Sequence, residues 1–423
     1  MKRRSTAASI DIGSTKVTVI VGDVGDLGET RVLGVGVAPA AGLSSRGVID
    51  NIQSAREAVG IAVEKAEHAC GMRILSAVVG ISGNHITSQN NRGIIAIPDR
   101  GREISLDDRA RVLEAASQVA IPTNRQVLHV LPRGYWLEGT DPVTDPIGMH
   151  AGRLDAEVHI VTAAVSAVQN LAKTVEGAGV QVDDIVLESL ASATSVLHEQ
   201  EKHQGVAVVD IGGATSSIAV YDEGSIAHTA CLPVAGQQLT NDLARVLRCP
   251  WESAEDLKCK YGAAYADPAQ TNETVEIQAF GTQSLKVVPL LHVCEILQAR
   301  TEEILEMVAL ELKRAGYLDR IAAGIVFTGG SSGLRGLAEF AEARLGLPAR
   351  VGRPHGYSGL SDLIGTPAYA TPIGLVGYAL SGRERVAEPV VSGAGGGPDF
   401  HMPSIGGGVF RRIASLGRAL MPN

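Results

Sequence analysis

A short turn that begins at position 11 returns, nearly unchanged, at position 210, and this repeat constrains the chain more than any other feature. The two copies read Asp11-Ile12-Gly13-Ser14-Thr15-Lys16-Val17 and Asp210-Ile211-Gly212-Gly213-Ala214-Thr215-Ser216. Apolar residues lead into each (Ala8 to Ile10; Val206 to Val209), and alternating strand residues follow (Val17, Val19, Val21; Ile218, Val220). A strand ending in Asp, a turn of glycine and small hydroxyl residues, and a second strand together make a cradle for phosphates. Glycine lets backbone N–H groups approach an anion closely, and Ser or Thr hydroxyls add donors. The Asp at the strand end can hold hydrated Mg²⁺ against the same phosphates. A lone Asp-x-Gly turn is usually an ordinary hairpin. Two, each opening half of a long chain, point to a duplicated fold that closes on one nucleotide.

A third turn belongs with them. Residues Ile325-Val326-Phe327-Thr328-Gly329-Gly330-Ser331 read as a buried strand and a Gly-Gly turn, and a helix is expected to run from there to about Leu345. Gly329 and Gly330 lack side chains, so a base or ribose can lie against their backbone, with Ser331 near the helix N-terminus where donors are unused. The plain alternative is a strand-to-helix turn that needs glycine for its own geometry. The order of all three turns favours the nucleotide.

With these turns in view, the chain resembles the actin, sugar-kinase and heat-shock-chaperone ATPase superfamily, and within it the FtsA family of bacterial cell-division proteins. The resemblance runs from about Ser9 to Leu380, with a short tail element after it. Further pieces that carry it are Gly80-Ile81-Ser82-Gly83-Asn84-His85-Ile86, Val127-Leu128-His129-Val130-Leu131-Pro132, Leu154-Asp155-Ala156-Glu157-Val158-His159, Gln298-Ala299-Arg300-Thr301-Glu302-Glu303 and Ala368-Tyr369-Ala370-Thr371-Pro372-Ile373-Gly374. It implies an α/β, actin-like, two-lobed duplicated RNase H-like fold. An inserted small α+β domain, a flexible linker and a C-terminal amphipathic helix would complete it.

On that plan, residues 1–83, 163–195 and 360–382 form the first core lobe and 84–162 the inserted domain. Residues 196–230 and 307–359 form the second core lobe, with a subdomain at 231–306. A Gly-rich linker covers 383–408 and a membrane-targeting helix 409–423. Local patterns agree with an alternation of strands and helices. Ser54–Ala69 and Ser166–Glu176 have helical spacing, Ile74–Ile81 is an apolar strand, and a long helix is expected from about Pro289 to Ala315. Within the insertion, Ser105 and Asp108 form a capping-box start, and Val127–Leu131 and Glu157–Thr162 read as strands.

Composition sets limits. A hydrophobic content of 45% over 423 residues allows a packed core, and a net charge of −9 argues against a nucleic-acid binder. Five cysteines without CxxC spacing suggest reduced thiols in a cytoplasmic protein. No apolar run approaches the length of a bilayer span, so any membrane contact is expected to be peripheral. The tail supplies a candidate. Residues 393–408 hold seven glycines, Pro398 and Pro403, and the 383–408 tether has an r.m.s. reach of roughly 28 Å. Beyond it, Val409, Phe410, Ile413, Leu416, Leu420 and Met421 gather on one helical face, with Arg411, Arg412 and Arg418 opposite. Such a helix is only about 20 Å long, and lies in the interface of an anionic membrane rather than crossing it. Docking on the protein's own body is the alternative.

For the site, Gly13, Ser14 and Thr15 are expected to donate to phosphates, with Lys16 neutralising them or else standing as a solvated strand residue. Gly212, Gly213, Ala214 and Thr215 do the same from the other lobe, and Asp11 and Asp210 act through water on Mg²⁺. The resemblance adds Glu255 and Lys258, in Ala254-Glu255-Asp256-Leu257-Lys258, for ribose and base; their i, i+3 spacing equally suits a surface ion pair. It adds Glu188 to orient a hydrolytic water, although Ser189 stands where related chaperones carry Pro. It also adds Arg300 for the acidic C-terminal peptide of FtsZ, against an ion pair with Glu303. The implied protein binds ATP, hydrolyses it slowly at most, and polymerises. It tethers FtsZ to the inner face of the cytoplasmic membrane and meets later division proteins through the inserted domain. A pilus-assembly scaffold of the PilM type is the runner-up. A sugar kinase would need a substrate-facing base, for which no family motif is recognisable, and a chaperone ATPase would need a peptide-binding domain after the nucleotide domain, where little chain follows Leu380.

Overall fold

A computed structural model describes residues 6–25, 28–98, 102–138, 141–281 and 285–384 of the chain. The expectations for the 409–423 helix and for most of the linker therefore lie outside the described residues.

The repeat seen in the sequence is a repeat of topology. The first sheet contains β1 (Thr6–Ile12), β2 (Lys16–Val24), β3 (Thr30–Pro39), β4 (Ser76–Ile81), β8 (Gln181–Leu187) and β16 (Tyr357–Ser358), in the order β16-β3-β2-β1-β4-β8. The second contains β9 (Val206–Ile211), β10 (Ser216–Asp222), β11 (Ser225–Leu232), β14 (Ile325–Thr328) and β15 (Ala349–Val351), in the order β11-β10-β9-β14-β15. In each, three strands form an antiparallel meander and two more join in parallel on the far side of its first strand. Strand β1 therefore corresponds to β9, and β2 to β10. Both central strands are buried on both faces, which explains their continuous apolar runs.

Helices cover the sheets. α1 (Ile52–Cys70) starts where the Asn51 side chain accepts from Ser54 N–H, ends at left-handed Gly71, and buries Ala55, Ala58, Val59, Ala62, Val63 and Ala66. α3 (Val165–Gly177) lies beside it. Between the lobes run α4 (Glu188–Val196) and α11 (Ala370–Glu384). The α4 residues Ala193 and Val196 share one core with β1, with β4 and with Val206, Val208 and Val326 of the second sheet. α5 (Glu199–Gln204) leads into β9. The second lobe's helices are α6 (Gly236–Leu247), α7 (Trp251–Tyr261), α8 (Leu290–Arg314) and α9 (Leu337–Leu345). The hairpin of β12 (Thr274–Ile277) and β13 (Lys286–Pro289) joins α6, α7 and α8 around a separate apolar cluster. A single turn, α10 (Ser361–Ile364), follows β16.

The insertion is a three-stranded antiparallel sheet, β5 (Thr87–Ala96), β7 (Arg153–Ala164) and β6 (Arg125–Leu137), with α2 (Leu106–Ser117) on one face. Ser105 and Asp108 form the expected reciprocal capping box. Two expectations need correction. No helix follows Gly330 directly: residues Gly330–Gly333 make a 3₁₀ turn, and α9 starts only at Leu337. Three glycines in the stretch Gly329–Gly333 disfavour a regular helix there. The chain is also back in the first sheet at β16, slightly before the boundary drawn at 360.

Candidate functional site

The two repeated hairpins face each other across the gap between the lobes. Ile12 pairs with Val17 and Ile211 with Ser216, so each turn consists of four residues, 13–16 and 212–215. They meet closely. Ser14 Oγ accepts a hydrogen bond from Ala214 N–H at 2.9 Å, and a Cβ at Gly213 would fall 2.5 Å from Ser14 Oγ. A side chain at 213 would require Ser14 and Thr15 to shift. The third turn closes against the second: Gly329 has φ +84°, and a Cβ there would lie 2.2 Å from Asp210 Oδ1. Ser331 Oγ donates to Gly212 O at 2.7 Å, so its hydroxyl is spent on holding the two turns together.

Between these turns lies a cleft of about 340 Å³. Its walls include Asp11, Gly13, Ser14, Thr15, Lys16, Glu188, Asp210, Gly212, Gly213, Thr215, Glu255, Lys258, Gly329, Gly330 and Ser331. Of the cleft residues expected from the sequence, only Ala214 is absent from the wall; it is buried behind it. Arg300 sits elsewhere, on α8. Its Nε donates to Asp242 Oδ2 at 2.6 Å, and Nη1 bonds Glu303. The Glu303 pair matches the plain alternative; Asp242, on α6, was not visible in the local sequence.

Three carboxylates share the cleft floor. Burial and the negative charge of Asp210 push Asp11 up to about 7, with Lys16 pulling the other way. Burial raises Asp210 too, against hydrogen bonds from Thr371 and Ser192; Thr371 Oγ1 donates to Asp210 Oδ2 at 2.8 Å. Burial, Asp11 and Asp210 together raise Glu188, and a Ser82 hydrogen bond opposes them. Lys16, 3.5 Å from the centroid of the Tyr369 ring, is itself held below its ordinary value by burial, with Asp11 opposing. Three buried carboxylates beside Lys16 suit a divalent cation. Among the described residues no three His, Cys, Asp or Glu side chains come close enough to ligate a metal together.

Glu255 and Lys258 form the ion pair that their spacing suits, and both line the cleft. Lys258 Nζ lies 2.7 Å from Glu255 Oε2, and it also donates to Thr240 Oγ1 at 2.9 Å and Gly236 O at 3.2 Å. The pair is thus a helical ion pair that also walls the cleft. Sequence reasoning missed Gln237, Trp251, Cys259, Ala368 and Thr371, which line the same space. Trp251 and Cys259 could have been found: they stand four residues on either side of Glu255, on the same helical face.

The family "Cell division protein FtsA" matches residues 207–374, "SHS2 domain inserted in FTSA" matches 83–162, and "Type IV pilus assembly protein PilM" matches 145–268. The cell division protein FtsA of Pseudomonas aeruginosa is 44% identical over 385 residues, covering 91% of this chain and 92% of its own length. That of Escherichia coli K12 is 33% identical over 403 residues, covering 93% and 95%. Among solved structures, the PilM-PilN type IV pilus biogenesis complex aligns with a TM-score of 0.63 at 16% identity, over 89% of this chain and 99% of that one. MreB 5 of Spiroplasma citri bound to AMPPNP aligns with a TM-score of 0.55 at 14% identity, over 91% and 98%.

Proposed function

This chain belongs to the FtsA family of cell-division proteins, and from that premise we propose that it is an ATP-binding, polymerising adaptor that tethers FtsZ filaments to the membrane at the division site. The observation that carries the nucleotide reading is the pair of hairpins facing each other over three buried carboxylates. Gly13, Ser14 and Thr15 offer donors from one side, and Gly212, Gly213 and Thr215 from the other, while Lys16 neutralises phosphate charge. Asp11 and Asp210 hold Mg²⁺ through water; the ion's contribution is to neutralise phosphate charge while the nucleotide is bound. Glu255 and Lys258 face the ribose and base, against Gly329 and Gly330. AMPPNP is the nucleotide reported with the MreB 5 structure, whose fold this chain shares.

Glu188, the first residue of α4, would orient a water near the phosphate end. Because α4 packs on both sheets, ligand bridging the hairpins favours one arrangement of the lobes, and so one filament-competent state. Recruitment of the acidic FtsZ tail through Arg300 requires that peptide to displace Asp242 and Glu303. The 409–423 helix is the proposed membrane anchor, and several weak anchors along a filament supply avidity. The inserted domain is the proposed meeting point for further division proteins.

The test is a titration of a fluorescent ATP analogue into the full chain, with and without Mg²⁺, alongside Asp210→Ala. Binding that depends on Mg²⁺ and weakens about tenfold or more in the variant supports the cleft. Equal affinity in the two proteins refutes it.

A further inference from the structure

The inserted sheet has two faces of opposite character. Alternation along β7 sends Leu154, Ala156, Val158 and Ile160 towards α2, where they build an apolar core. Arg153, Asp155, Glu157 and His159 point to the other side. Register extends this second face across all three strands: Ile94 pairs with Asp155, Asp155 with Trp136, and Arg92 with Glu157. One end of the face is covered by β11. There His159 Nε2 lies 3.0 Å from Thr229 Oγ1, Asn90 Nδ2 donates to Ala227 O at 3.1 Å, and Ser88 Oγ donates to Thr229 O at 2.8 Å. The other end is open: Ile94 is 53% exposed, and the side chains of Arg92 and Arg153 are 45% and 53% exposed.

The open end is rigidly built. Asp155, almost wholly buried, accepts from Arg92 Nη2 at 2.9 Å and from Arg153 Nε and Nη2 at 2.6 and 2.7 Å. Burial pushes its carboxyl up, but the hydrogen bonds from both arginines prevail and hold it below its ordinary value. The Arg92 guanidinium also lies 4.6 Å from the centroid of the Trp136 ring. A guanidinium has five N–H donors, and Asp155 uses one from Arg92 and two from Arg153. Two exposed guanidinium groups thus keep donors to spare while their side chains are already ordered, which lowers the entropy cost of binding. Glu157 is paired with Arg133, so Arg92, Arg133 and Arg153 outnumber Asp155 and Glu157. Arg92 and Arg153 are the cations this end presents to solvent, on a chain whose net charge is −9, while Glu138 at its edge accepts from Gly152 N–H.

We propose that this open half-face is a docking site for an extended acidic peptide of a partner protein, with carboxylates on Arg92 and Arg153 and an apolar side chain between Ile94 and Trp136. Charge complementarity selects an acidic occupant. Arg92 and Ile94 are two residues apart on one strand, a spacing of about 6.6 Å, which same-side groups of an extended peptide repeat. The proposal rests on the reading that the inserted domain receives division partners, and supplies its chemistry.

The test uses the full chain and a short fluorescein-labelled peptide, Glu-Ser-Leu-Ser-Glu, whose Glu and Leu side chains share one face when extended, with Lys-Ser-Leu-Ser-Lys as control, read by anisotropy at low salt. The Glu peptide is expected to bind saturably and the Lys peptide not. Ile94→Glu, at an exposed position, should weaken binding about tenfold or more, and Arg153→Lys, which keeps a cation on Asp155, about threefold. Equal binding of the two peptides, or indifference to both substitutions, overturns the proposal. So does loss of self-association in Ile94→Glu without loss of peptide binding, which would assign the face to a second copy of the chain. ATP-analogue binding in the same samples reports on the cleft alone, so failure here is distinguishable from failure of the nucleotide reading.

Discussion

The first hairpin, residues 13–16, and the second, residues 212–215, share a register and a strand-end Asp, yet they contribute different things. The first brings side chains: the Ser14 hydroxyl, which reaches Ala214 N–H, and the Lys16 ammonium, which opposes Asp11. The second brings the absence of a side chain, since Ser14 and Thr15 occupy the space a Cβ at Gly213 would need. Their acids differ too. Asp11 has Lys16 as counterweight, whereas Asp210 is held by the Thr371 and Ser192 hydroxyls. Duplication supplied two equal frames, and packing against each other forced one to carry chemistry and the other to make room.

Exchanging residues between the hairpins tests this division. The largest effect is expected from Gly213→Ser, which copies the first hairpin into the second. Two side chains would then contest one space, and affinity for an ATP analogue should fall about 100-fold with the circular dichroism spectrum retained. Near-normal affinity would show that the turns part easily.

Next is Asp11→Asn. With a folded pKa of about 7 against an ordinary 3.8, Asp11 keeps its proton in the folded state after the unfolded chain has lost it. Stability of the nucleotide-free protein should therefore fall as pH rises between those values. Removing the charge should flatten that slope, raising Tm by about 2–4 °C at pH near 8 and leaving it unchanged near pH 4, while Mg²⁺-dependent affinity drops about tenfold. A wild-type Tm with no such slope would contradict the carboxylate cluster.

Ser14→Gly, the reverse exchange, removes one hydroxyl without adding bulk. It should weaken nucleotide binding only about three- to tenfold by the same titration, and a loss as large as that of Gly213→Ser would erase the asymmetry. The smallest effect is expected outside both hairpins. Lys258→Met breaks a partly exposed pair with Glu255 and should cost about two- to fivefold in affinity, with base selectivity the quantity to watch.

Much of this was legible locally. The hairpins announce themselves because strand, Asp, Gly and strand are consecutive, and the capping box of α2 because Ser105 and Asp108 are three residues apart. The long helix α8 shows in its apolar spacing. The 3₁₀ turn before α9 was misread, because a Gly-rich stretch after a strand suits either a helix start or a delay. For Arg300 the ion-pair partner legible locally is Glu303, one turn away on its own helix, weighed against an acidic peptide, while Asp242 lies on another helix.

The sequence alone thus determined the repeat, the strand-end acids and the glycines, since all are properties of a few neighbouring residues. Tertiary structure decided that Ser14 faces Ala214, that Thr371 holds Asp210, and that one half of the inserted sheet is covered while the other stays open. Those facts join residues up to 200 positions apart. No local periodicity encodes such distances: they arise only when α4 and α11 pack the two sheets into a single core.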